Sequence, residues 1–202
     1  PTLFAFQARL IPGSSMSVEI TFPDGQIMTE SMRDVDVVLS GRFGRKVVLK
    51  NVPPAQPMLE QYAPNLEGLS ERDSETTVKI PPTTFFDEAP VHLVTTATLH
   101  ALQSHYSGGR FDVRRFRPNV VVDTGTSDPT FLENDWNGRI VAIGAQVRVA
   151  VTGLCARCVM TTLPQQDLPQ DLSILRTAVQ HNHGNVGVLA TVVTPGTVHA
   201  GD

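Results

Sequence analysis

Short runs of β-forming residues, broken by polar and turn-forming stretches, dominate the pattern along the 202-residue chain. Val18-Glu19-Ile20-Thr21-Phe22 alternates apolar and polar positions, enters Pro23-Asp24-Gly25 and resumes at Gln26-Ile27-Met28. That pattern predicts a hairpin with its turn chemistry in place. Asp34 to Arg42 carries apolar residues at 35, 37, 38 and 39, which suits helix or strand, and a short helix is the reading adopted. Val47-Val48-Leu49 predicts another strand. The segment 51–75, rich in Pro, Asn, Gln, Glu and Ser, predicts a long irregular excursion over the surface.

Farther along, Val91-His92-Leu93-Val94 predicts a short strand, and Thr95 to Ser104 predicts a threonine-capped helix with Leu99 and Leu102 at helical spacing. Asn119-Val120-Val121-Val122 has the character of a buried strand, Trp136 to Ala142 predicts another, and Gln146 to Thr152 alternates cleanly. Val159-Met160-Thr161-Thr162 also reads as a strand. Leu172 to Val179 predicts a short helix, and Gly187 to Thr194 a last strand before Pro195-Gly196. Many short strands with few short helices give a β-rich α+β class, not a doubly wound sheet. No internal repeat is evident.

Composition narrows the function. A hydrophobic content of 41% supports a real core. No apolar run approaches the roughly 18 residues that would span a bilayer, and no basic-then-apolar leader opens the chain, so it reads as cytoplasmic. A net charge of -4 gives no global attraction to nucleic acid or to an anionic membrane. Arg110, Arg114, Arg115 and Arg117 nevertheless cluster near Gly108-Gly109, either as a local anion site or as a solvated strand-loop junction. Cys155 and Cys158 are the only two cysteines, too few and too close for a disulfide scaffold.

Those two cysteines frame the most informative segment, Gly153-Leu154-Cys155-Ala156-Arg157-Cys158. Dithiol exchange would require a helix N-terminus to lower the pKa of the nucleophile, and a strand is expected there instead. A zinc site with His181 and His183 would use suitable donors, but the HxH spacing departs from the wider finger spacing. A third chemistry is a single thiolate on a soft, high-valent metal, with arginines neutralising an anionic organic cofactor. Arg157 suits this, because a guanidinium beside a thiol favours the thiolate and forks onto phosphate or carboxylate. Against all three stands the commonest fate of free cysteine, burial as an inert hydrophobe. Arg114-Arg115-Phe116-Arg117-Pro118-Asn119 leads into the strand at 120–122, and Pro118 would hold Arg117 and Asn119 in set directions at its entrance. Trp136 reads as a core anchor, and His181-Asn182-His183-Gly184-Asn185 as a polar surface loop or a turn lining a cleft.

Five ordered segments together resemble the MOSC family, the molybdenum cofactor sulfurase C-terminal domain, and within it the branch of the mitochondrial amidoxime reducing component and its bacterial relatives. They are Asp87 to Thr96 (DEAPVHLVTT), Arg114 to Asp123 (RRFRPNVVVD), Asp135-Trp136, Ala156 to Thr162 (ARCVMTT) and Val193 to Val198 (VTPGTV). The resemblance covers a MOSC domain at 85–202, with a weaker match of 1–55 to the β-rich N-terminal region, and implies a MOSC-type β-barrel with a few short helices. It also implies a molybdenum pterin cofactor with Cys158 as the catalytic ligand to molybdenum. Arg117, Asn119, Arg157, Ala156, Arg115, Glu88 and Ala89 would line the cofactor. At family level an association with pyridoxal phosphate also belongs to it.

Two departures qualify that carry-over. Ala156 and the Glu88-Ala89 pair stand where relatives often carry hydroxyl residues, so side-chain hydrogen bonds are missing there. The Tyr-Pro-hydrophobic-Lys-Ser strand and the glycine-rich stretch of the family are also not found at the start, and a last short strand is missing after Asp202, so the chain reads as part of a longer protein. The resemblance implies reduction of small N-hydroxylated or N-oxide substrates. Electrons would come from an external iron-sulfur, haem or flavin protein, since no iron-sulfur cysteine set is present. The competing expectation is a carrier that holds the cofactor, or a sulfur atom on Cys158, without catalysis of its own.

Overall fold

The computed structural model describes residues 2–13, 17–65, 67, 73–82, 86, 88–126 and 128–202. Two compact units emerge, Pro1–Pro54 with Pro164–Pro169, and Ala55–Leu163 with Gln170–Asp202.

In the first unit, strands β1 (Gln7–Leu10), β2 (Val18–Thr21) and β3 (Ile27–Thr29) form an antiparallel sheet in that order, with Ile20 opposite Met28. The expected hairpin is β2–β3. Helix α1 (Val35–Phe43) buries Val35 and Leu39, one turn apart, in a cluster with Ile20, Phe22 and Met28. It stops at Gly44, whose φ of 64° is left-handed and lets its N–H return to the Ser40 carbonyl. The strand expected at 47–49 does not form, because side chains of α1 satisfy its backbone first. Val47 N donates to Ser40 Oγ at 3.0 Å, Ser40 Oγ donates to the Val47 carbonyl at 3.1 Å, and Leu49 N donates to Asp36 Oδ1 at 2.9 Å.

In the second unit, the supposedly irregular segment 51–75 contains most of a hairpin: β4 (Met58–Ala63) pairs antiparallel with β5 (Ser74–Lys79) from Met58–Lys79 to Ala63–Ser74. Polar composition concealed it, although Ser-Glu-Thr-Thr-Val-Lys alternates half-buried and exposed positions. Residues 66 and 68–72 of that segment, and Asp87 of the first matching motif, lie outside the described residues.

The main sheet is β-rich and curled as a half-barrel, in the order β7 (Val120–Val122), β6 (Val91–Thr95), β10 (Asn185–Thr194), β9 (Val147–Ala156), β8 (Ile140–Ile143). Strands β6 and β7 run parallel, Leu93 beside Val120, and the other pairs are antiparallel. Alternation in β9 buries Val147, Val149 and Val151 with Leu93, Val188 and Ala190. Helices α2 (Thr96–His105) and α3 (Ser173–Asn182) contribute Leu102, Ile174 and Ala178 to a second cluster with Val94, Phe116 and Val186. Each fully buried large apolar side chain there contributes roughly 1.5–3 kcal/mol.

Several boundaries differ from expectation for local reasons. Strand β7 is an edge strand with Val121 45% exposed, not a buried one. Trp136 ends a short 3-10 helix (Leu132–Trp136) and packs on the core before β8 begins at Ile140. Val159–Thr162 is a 3-10 turn, not a strand: the hydroxyls of Thr161 and Thr162 fold back onto the carbonyls of Cys158 and Val159 at 3.0 and 2.7 Å. Helix α3 continues through His181 and Asn182, and the polar turn begins only at His183. Helix α2 opens where Thr95 caps Thr98 N at 3.1 Å, and the fully buried Glu133 carboxylate accepts from Thr95 N, Thr95 Oγ1 and Thr98 Oγ1. Among the described residues no helix is long and apolar enough to cross a membrane.

Candidate functional site

A cleft of about 530 Å³ opens beside the carboxyl end of β9, and its lining contains seven of the eight expected site residues: Glu88, Ala89, Arg117, Asn119, Ala156, Arg157 and Cys158. Strand alternation sends Cys155 inward, where it is 6% exposed, while Cys158, two residues past the strand end, is exposed. The backbone at Cys158 is extended (φ -108°, ψ -178°) before it tightens into the 3-10 turn, so the thiol stands clear of the sheet.

Arg157 links the two sides of the cleft. Its Nη1 donates to Cys155 Sγ at 2.8 Å, its Nη2 to the Phe116 carbonyl at 3.0 Å, and its backbone N to the Gly184 carbonyl at 2.8 Å. Its Nε is buried without a hydrogen-bond partner among the described residues. Burial pushes the Cys155 thiol up in pKa, against the opposing pull of Arg157, so Cys155 remains a protonated wall residue. Cys158 is the accessible sulfur.

The arginine cluster disperses. Arg114 pairs with Asp112 at 2.7 Å. Arg115, the eighth expected residue, is not brought to the cleft: it is 4% exposed and donates to the carbonyls of Arg110, Thr161 and Leu163 at 2.9, 3.1 and 3.4 Å. Arg117 alone of the four lines the cleft, held at φ 53°, a left-handed conformation that a non-glycine residue adopts at a cost of order 1–3 kcal/mol. Its N–H closes onto the Val113 carbonyl at 3.0 Å. Asn119 completes the ladder ahead of β7, its N donating to the His92 carbonyl at 2.8 Å and its Oδ1 accepting from His92 N at 2.7 Å.

His92 was not among the expected site residues. It lines the same cleft, is 7% exposed, and its Nε2 lies 2.9 Å from the Val186 carbonyl. Burial, then the nearby Arg157, holds its pKa down to about 4, while the contact with the Val186 carbonyl works the other way. The signal available in the sequence was a lone histidine inside an otherwise apolar strand. Gln61, Val78 and Lys79 of the β4–β5 hairpin also line the cleft and were hidden with the hairpin. Lys79, Arg117 and Arg157 against Glu88 leave the lining with an excess of positive charge, suited to an anionic ligand. Among the described residues no three His, Cys, Asp or Glu side chains gather as a metal-ligand group, so the Cys155, Cys158, His181, His183 arrangement is not assembled. His181 instead stacks on His105, ring centroids 3.6 Å apart.

Fold and cleft thus define a β-rich α+β domain that offers one exposed thiol beside guanidinium groups. The chain belongs to the MOSC family: the family model described as MOSC domain matches residues 81–202. A search of curated proteins finds no match to the chain. MOSC domains are associated in general with molybdenum cofactor binding.

The residues present fit such a group. A soft metal takes a thiolate, and Cys158 is the one exposed thiol in the cleft. The buried, unpartnered Nε of Arg157 is a donor that lacks an acceptor, and leaving such a group unpaired costs roughly 1–3 kcal/mol.

Proposed function

We propose that the cleft binds a molybdenum pterin cofactor with Cys158 as the protein ligand to the metal. The protein then acts as a reductase of N-hydroxylated or N-oxide substrates in the manner of the amidoxime-reducing branch. When bound, the cofactor supplies the oxygen-atom transfer chemistry. The chain's own residues do the rest. Cys158 would offer its exposed thiol to the metal, Arg117 and Arg157 would offset the anionic pterin phosphate, and Ala89, Ala156 and Asn119, whose amide oxygen is held by His92 N, would line the ligand. Electrons arrive from a separate iron-sulfur, haem or flavin protein.

The observation that carries this reading is the exposed Cys158 thiol in one cleft with Arg117 and with an Arg157 Nε that lacks an acceptor. Its test is turnover of an aromatic amidoxime by protein isolated from cells that make the cofactor, with a chemical reductant as electron source. Turnover by the wild type and its loss in a folded Cys158→Ala variant are expected. Sulfane sulfur on Cys158 in a metal-free, inactive wild type favours the carrier reading, to which the exposure of Cys158 also lends itself.

A further inference from the structure

The cleft is lined from two separate sources. Cys158, Arg157 and Arg117 belong to one bonded unit, because Arg157 Nη2 holds the Phe116 carbonyl next to Arg117. Gln61, Val78 and Lys79 come instead from the β4–β5 hairpin, whose two strands form a sheet of their own. Gln61 stands opposite Thr76 and Leu59 opposite Val78, which puts Gln61 and Val78 on one face of the hairpin. Lys79 ends β5, and just beyond it Ile80 N closes the hairpin base on the Pro57 carbonyl at 3.2 Å.

The polar groups that the hairpin brings are not consumed by the protein itself. Among the described residues Lys79 forms no ion pair, although Glu88 lines the same cleft, and the Gln61 side chain makes no hydrogen bond. Lys79 is exposed, and Phe86, 44% exposed, lines the cleft as well. With Val78 it offers an apolar surface beside an uncommitted ammonium. Apolar walls with a few placed polar groups are what orients a small ligand, and an ammonium is a charge-assisted donor to a carboxylate. The ligand that answers both features has an aromatic body and an anionic substituent.

We propose that Lys79 is a specificity-determining residue: it pairs with a carboxylate on an N-oxygenated aromatic substrate that packs against Val78 and Phe86. In its use for turnover this rests on the reading above, whereas capture of the carboxylate by Lys79 needs only the chain. A partly exposed pair of this kind is worth up to about fivefold in affinity.

The test compares benzamidoxime with 4-carboxybenzamidoxime on cofactor-loaded wild type, Lys79→Gln, Lys79→Arg and Lys79→Glu. Lys50→Gln, which removes the same charge from a residue that does not line the cleft, is the control. The ratio of kcat/KM, carboxylated over neutral, should fall about fivefold in Lys79→Gln, fall further in Lys79→Glu, recover in Lys79→Arg and stay at the wild-type value in Lys50→Gln. An unchanged ratio in Lys79→Gln, or an equal fall in Lys50→Gln, overturns the proposal. So does a loss of retained molybdenum in Lys79→Gln, which would assign the ammonium to the cofactor's own phosphate. If wild type turns over neither compound, the reductase reading fails and binding to cofactor-free protein decides. There the Kd of 4-carboxybenzamidoxime, followed by NMR titration, should rise at least about threefold in Lys79→Gln and not in Lys50→Gln. No binding to wild type, or an equal Kd in Lys79→Gln, overturns the assignment of Lys79.

Discussion

Arg157 donates to the Phe116 carbonyl at 3.0 Å, and this bond joins the segment that presents Cys158 to the segment that presents Arg117. The two residues lie 41 positions apart, so the cleft exists only in the folded sheet. The planar fork reaches Cys155 Sγ and the Phe116 carbonyl from two separate nitrogens, whereas a lysine would have to serve both acceptors from one.

Arg157→Lys should therefore lose at least one of the two bonds while keeping the charge. We expect a stability loss of roughly 1–2 kcal/mol by urea denaturation. Retained molybdenum should fall at least about tenfold. A variant equal to wild type on both counts would show that the fork does nothing beyond its charge.

Gly187→Ala probes the space around His92 from a position that does not itself line the cleft. The added methyl meets the Leu93 carbonyl at 2.3 Å and the imidazole at 2.5 Å, on a backbone at φ +81°. A loss of roughly 2–4 kcal/mol in denaturant midpoint analysis is expected, larger than that of alanine at an unencumbered glycine.

Legibility in the sequence followed how local each determinant was. Strands β2, β3, β6, β9 and β10 and helices α2 and α3 were readable because period and cap lie in adjacent residues, as with Thr95 over Thr98. The pair Val47 and Leu49 was misread because their partners, Ser40 and Asp36, sit on a preceding helix. The β4–β5 hairpin was hidden by polar composition. In the site, Cys158, Arg117 and Arg157 were named from a motif, but motif adjacency could not tell Arg115 from Arg117. A left-handed φ at Arg117 turns one into the cleft, and the carbonyls of Arg110 and Thr161 hold the other in the core. His92 gave only a faint sign, since its meaning lies in the distant Val186 and Gly187.

Glu133 tests the frame that holds β6. Its carboxylate is fully buried and accepts from Thr95 N, Thr95 Oγ1 and Thr98 Oγ1 at 3.2, 2.6 and 2.7 Å. Glu133→Ala leaves Thr95 N and Thr95 Oγ1 without an acceptor and Thr98 Oγ1 with only the Thr130 carbonyl at 3.5 Å, and should cost roughly 3 kcal/mol in equilibrium unfolding. A loss under about 1 kcal/mol would show that water replaces the carboxylate.

Acid should weaken the fold through His92. Its folded pKa of about 4 lies below the ordinary value of 6.5, so between those values the unfolded chain binds a proton that the folded one refuses. Stability is complete above about pH 6.5 and declines as pH falls toward 4, by up to roughly 3 kcal/mol from this group. Denaturation midpoints of wild type and His92→Gln from pH 7.5 to 4.5 measure it. The variant should show the shallower decline, and parallel curves would contradict the assignment.

The most direct measurement of the central claim is the molybdenum-to-protein ratio, by elemental mass spectrometry, of wild type, Cys155→Ala and Cys158→Ala isolated side by side from cells that make the cofactor. Stoichiometric metal in the first, most of it kept in the second and none above background in the third is the predicted result. Equal metal in wild type and Cys158→Ala, or none in wild type, would contradict it.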